Sequence, residues 1–85
     1  MSEDQLLQRR AAAADAVRQV SGVASAEWLS KSTLIVKIPN GEADVRKAAA
    51  DTICPVLLRY EELRYTRLQV QDVTDDRKVS WRSCQ

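Results

Sequence analysis

Apolar positions along the chain recur first at helical spacing, then every second residue, and the two periods then repeat in the same order. Leu7, Ala11, Ala14, Val17 and Val20 fall on one stripe, with Arg9, Asp15 and Arg18 off it, which predicts an amphipathic helix. Ser2-Glu3-Asp4-Gln5 has the form of a capping box to start it, and Gly22 is placed to end it in a left-handed conformation. From Val23 the period is two. Ala24, Ala26 and Trp28 alternate with Ser25, Glu27 and Leu29, and Leu34, Val36 and Ile38 alternate with Ile35 and Lys37, so two strands joined through Ser30-Lys31-Ser32 are expected.

Pro39-Asn40-Gly41 stops the second strand, and Glu42 and Asp44 suit the positive end of a helix dipole. Val45, Ala48, Ala49, Thr52 and Ile53 give this second helix its expected buried stripe. Pro55 has no N–H to bond residue 51, so the helix is expected to kink there or to end near Thr52 and resume as a turn through Val56 and Leu57. Residues 63 to 72 read as a strand with Leu68 and Val70 on one side and Tyr65, Arg67, Gln69 and Gln71 on the other. Thr74-Asp75-Asp76-Arg77 reads as a turn, and Val79 and Trp81 alternate with Ser80 and Arg82 in a last strand.

The order is thus α-β-β-α-β-β in one α+β domain over residues 1–85, with no repeat or linker. Such elements bury their apolar sides as a two-layer sandwich, an antiparallel four-stranded sheet with two helices on one face. A crossover through the second helix allows the sheet order 3-4-2-1, a ferredoxin-like arrangement whose usual first strand has moved to the C-terminus.

At 85 residues, with 45% apolar and 29% charged residues, the chain is suited to one small core. Thirteen basic and twelve acidic residues leave a formal charge of +1, which argues against nucleic acid or an anionic membrane as the main partner. The apolar runs are far shorter than the roughly 20 residues of a membrane span, and the charged N-terminal stretch is unlike a signal peptide. A complete chain of this kind is expected in the cytoplasm, and one that has lost a leader in the periplasm or outside the cell. Cys54 and Cys84 permit one disulfide, which would add about 3 to 4 kcal/mol on a chain-entropy account, or they are two ordinary thiols. A straight last strand would put Cys84 on the open face with Ser80 and Arg82, away from Cys54, so pairing would require the tail to bend.

There is no histidine, which removes the commonest general base and metal ligand. Neither cysteine has a second thiol near it in sequence, so no zinc or dithiol motif can be written, and the two glycines form no phosphate-cradling run. Glu61-Glu62 and Asp75-Asp76 read as solvated turn residues. No catalytic residue, metal or cofactor is expected.

The sheet face away from the helices carries the functional expectation. Alternation assigns it Glu27, Leu29, Ile35, Lys37, Tyr65, Arg67, Gln69, Ser80 and Arg82, of which Leu29, Ile35, Lys37, Tyr65, Arg67 and Arg82 form the candidate binding surface. Trp28 and Trp81 are assigned to the core. The expected function is a non-enzymatic protein-interaction module, self-association included, using this face or an edge strand. The alternatives are single-stranded nucleic-acid binding on the same face and a disulfide-stabilised envelope domain.

The passage Val17-Arg18-Gln19-Val20-Ser21-Gly22-Val23-Ala24-Ser25-Ala26, followed by Leu34-Ile35-Val36 and a helix holding Val45 and Ala48-Ala49, resembles heavy-metal-associated domains over about half the chain. The Cys-x-x-Cys that gives that family its metal chemistry is absent, so only the fold is implied. The element order also resembles BON domains, which are small envelope modules.

Overall fold

A computed structural model describes residues 3–60 and 65–84 of the chain. The elements follow the expected order: α1 (Glu3–Arg18), β1 (Ser25–Trp28), β2 (Thr33–Ile38), α2 (Ala43–Leu58), β3 (Arg67–Asp72) and β4 (Val79–Ser83). Ser2 of the capping box and Glu61-Glu62 lie outside the described residues, as does the start of the strand expected from residue 63.

The sheet is mixed, with strand order β1-β2-β3-β4, where an antiparallel sheet of order 3-4-2-1 was expected. β1 and β2 form the antiparallel hairpin, β3 runs parallel to β2, and β4 folds back antiparallel on β3. Composition explains the difference. Leu34 and Val36 lie beside Leu68 and Val70 in the parallel register, so the two most apolar strands share the centre. The expected order would have given that central position to β4, whose inward side chains are Ser80 and Arg82. A parallel pair needs a long crossover, and the 16-residue α2 supplies it.

Both helices pack on one side of the sheet. The core comprises Ala13, Ala14 and Val17 of α1, Ala50, Ile53 and Leu57 of α2, and Ala26, Leu34, Val36, Ile38, Leu68, Val70 and Cys84. The stripe of α1 is rotated from the expected one: Leu7 is 60% exposed and Ala11 is exposed, whereas Leu6 and Arg10 are half-buried. The run Ala11 to Ala14 makes neighbouring helical faces equally apolar, and contact with β1 selects between them. Trp28 fixes the choice by packing on the core and donating its indole N–H to the Arg10 carbonyl at 2.7 Å. Past Arg18 the helix unwinds through tighter turns, with Val20 N–H on Val17 O and Val23 N–H on Val20 O, and Gly22 adopts φ 88°.

α2 runs unbroken through Pro55 to Leu58. The proline removes the bond to the carbonyl of Asp51, an exposed residue whose carbonyl can be hydrated, while Ile53 before it and Leu57 after it are fully buried and keep the helix going past it, so it does not end near Thr52. Val45, Ala48 and Thr52 of the expected stripe are exposed.

Candidate functional site

β4 decides what the uncovered sheet face looks like. Ser80 is in register with Val70 and Arg82 with Leu68, so Ser80 and Arg82 lie on the helix side and Val79, Trp81 and Ser83 on the open side. This inverts the parity expected from apolarity. Each inward residue is held by a polar or covalent contact. Arg46 of α2 donates its Nε–H to Ser80 Oγ at 2.8 Å, the Arg82 guanidinium pairs with the Asp51 carboxylate, and Cys84, almost fully buried, is joined to Cys54 by a disulfide with Cα atoms 5.2 Å apart. No bending of the tail is needed, because Cys84 shares the parity of Ser80 and Arg82, and that parity faces α2.

Trp81 is consequently 54% exposed rather than a core residue. The Arg67 guanidinium lies over its ring, 5.4 Å from the centroid, a geometry in which the ring quadrupole attracts the cation. Register places Glu27, Ile35, Gln69 and Trp81 in one row across all four strands, and Ser25, Lys37, Gln71 and Val79 in a neighbouring row. Gln69 donates to the Gln71 side-chain oxygen at 3.1 Å, which occupies the middle of the face with a neutral polar pair.

Of the six residues expected on the binding surface, Ile35, Lys37 and Arg67 are on the open face by register. Leu29, 65% exposed, follows β1 at the tip of the hairpin, and Tyr65, 69% exposed, precedes β3 by two residues. Arg82 is on the other side, tied to Asp51. Trp81, with Val79 and Ser83, was missed. The only signal in the sequence that would have found them is the cysteine pair, since joining Cys84 to a helix residue fixes the parity of the strand before it.

The backbone of β4 adds a second feature. Cys84 N–H bonds Thr66 O at 3.0 Å and Asp72 N–H bonds Lys78 O at 2.9 Å. By antiparallel alternation Ser80 and Arg82 therefore carry the ladder to β3, and the N–H and C=O groups of Val79, Trp81 and Ser83 point outward along the sheet edge. The opposite edge is shorter. Leu29 N–H bonds Thr33 O, so Ala26 and Trp28 are the outward residues of β1, and the Ala26 carbonyl accepts Arg18 Nε–H at 3.1 Å.

Asp72, buried at the end of β3, is the most perturbed titrating group among the described residues. Its carboxylate accepts the Thr74 hydroxyl at 2.5 Å, the Gly41 N–H at 2.6 Å and the Thr74 N–H at 3.0 Å. These bonds, led by the Thr74 hydroxyl and then Gly41, hold its pKa at about 2. Such a group stays ionised at neutral pH and does not suit general acid or base work; it ties the end of β3 to the loop that starts α2. Asp75 likewise titrates below its usual value, first through the Arg77 side chain, and Lys78 is raised by Glu42. Among the described residues no cluster of cysteines and carboxylates is placed to hold a metal ion, and no helix is long and apolar enough to cross a membrane.

The chain matches no protein-family model, and comparison with characterised proteins and with solved structures likewise gives no match.

Proposed function

We propose that this chain is a non-enzymatic interaction domain that docks a protein on the uncovered sheet face, centred on Trp81, Arg67 and Ile35 and extending to Leu29 and Tyr65. The observation that carries the reading is Trp81, half-exposed on the sheet face away from the helices and overlaid by a guanidinium. Tryptophan and arginine are the side chains most enriched among binding hot spots, and a rigid ring held under a cation loses little freedom on binding. The other side of the sheet is closed by the helices, the disulfide and the Arg82–Asp51 pair, which leaves the recognition chemistry on this one.

The test is capture on immobilised domain from the source cell extract, compared across variants. Proteins retained by the wild type and by Asp44→Lys on α2, but lost with both Ile35→Glu and Trp81→Glu, support the face. Proteins retained equally by all four forms overturn it.

A second reading, single-stranded nucleic acid on the same surface, draws support from Trp81 joining Tyr65 as an exposed ring beside Arg67 and Lys37. The balanced charge weighs against it. A fluorescent oligonucleotide titrated at rising salt decides, since phosphate-driven binding must weaken steeply as salt rises.

A further inference from the structure

We infer that β4 is a self-pairing edge: two copies of this chain join antiparallel along Val79–Ser83, with a two-fold axis at Trp81, to form one continuous eight-stranded sheet. The inference rests on the interaction reading above and names the partner as a second copy.

Three observations carry it. The outer edge of β4 offers the backbone groups of Val79, Trp81 and Ser83, which have no hydrogen-bond partner among the described residues. Proteins that must stay monomeric usually protect such an edge with proline, a bulge or a charge on the strand. β4 has a regular register and no proline, and its one charged side chain, Arg82, is turned to the helix side and neutralised by Asp51. The β1 edge, by contrast, is four residues long and has its Ala26 carbonyl occupied by Arg18.

The strand is also complementary to itself. Turned about Trp81, Val79 meets Ser83, Ser80 meets Arg82 and Trp81 meets its own copy, so no two charged side chains of the strand itself are directly opposed. The two indole rings meet on the open face, each with Arg67 over it, and aromatic cross-strand pairs are among the more favourable. A net charge of +1 per chain sets almost no long-range repulsion between copies. Five residues a side is well short of the roughly 20 to 30 a side of a standard interface, so the pair is expected to be weak and to form with rising concentration.

Light scattering on the oxidised full chain from micromolar to millimolar concentration should show the mass rise from 9.5 kDa toward twice that value. Ser83→Pro should stay monomeric with an unchanged circular dichroism spectrum, because the N–H it removes is used only between copies. Register is read by thiol cross-linking. A mixture of Val79→Cys and Ser83→Cys chains should cross-link, and neither alone should, because position 79 faces position 83 of the other copy. A wild type that remains monomeric at millimolar concentration, a dimer that survives Ser83→Pro, or cross-linking of either variant alone overturns the pairing. Monomeric behaviour leaves the capture comparison standing as the separate test of the face.

Discussion

Asp72 and Gly41 show how much of this small fold rests on single atoms. A Cβ on Gly41 would lie 2.7 Å from the Asp72 Cα, a backbone atom that cannot swing aside. Gly41→Ala should therefore cost about 1 to 3 kcal/mol, read as a lower urea midpoint. The Asp72 carboxylate titrates at about 2 in the fold against 3.8 for the free group, so its bonds contribute fully above the free value and are lost as pH falls through the folded one. Asp72→Asn should lower stability at neutral pH and flatten its decline between those two values, as followed by thermal unfolding at stepped pH. A variant that declines as steeply as the wild type would show that another group controls acid unfolding. None of this was visible in the sequence, where Gly41 reads as a strand breaker and Asp72 as one more polar position; the contact joins residues 31 apart.

At the scale of elements, one covalent device holds β4 to α2 and one residue works against α2. The Cys54–Cys84 bridge closes a loop of 30 residues, so replacing both cysteines with serine should cost about 3 to 4 kcal/mol on the chain-entropy account, seen as a large fall in Tm. Alkylation without reductant should leave the mass of the native protein unchanged, and two alkyl additions would show both thiols free. Pro55 acts the other way. Proline inside a helix is about 3 kcal/mol worse than alanine, offset by about 0.4 to 1 through its restriction of the unfolded chain, so Pro55→Ala should stabilise by about 2 kcal/mol. All six elements were legible because each holds its period for several residues. The faces were less so. The alanines from Ala11 to Ala14 make two registers of α1 equally apolar. In β4 the apolar rule chose Val79 and Trp81 for the core, whereas a disulfide, an ion pair and the Arg46–Ser80 bond put Ser80, Arg82 and Cys84 there. These contacts depend on what α2 presents opposite the strand, which periodicity does not encode.

For the whole molecule, sheet order decides which strand is left at the edge, and the proposed docking face depends on that. Element order alone allowed a fourth strand in the middle of the sheet; the apolar match of β2 with β3 moved it to the rim, where Trp81 is exposed. The open face itself was legible from alternation in β2 and β3, where Ile35, Lys37, Arg67 and Gln69 lie as expected. Its most prominent residue was not.

Residue-resolved amide hydrogen exchange across β4, on dilute protein, tests the placement of that strand most directly. Ser80, Arg82 and Cys84 should exchange slowly because their N–H groups bond to β3, while Val79, Trp81 and Ser83 should exchange fast. Slow exchange at Trp81 with fast exchange at Ser80 and Arg82 would reverse the strand's parity, return the indole to the interior, and remove the surface on which the functional reading stands.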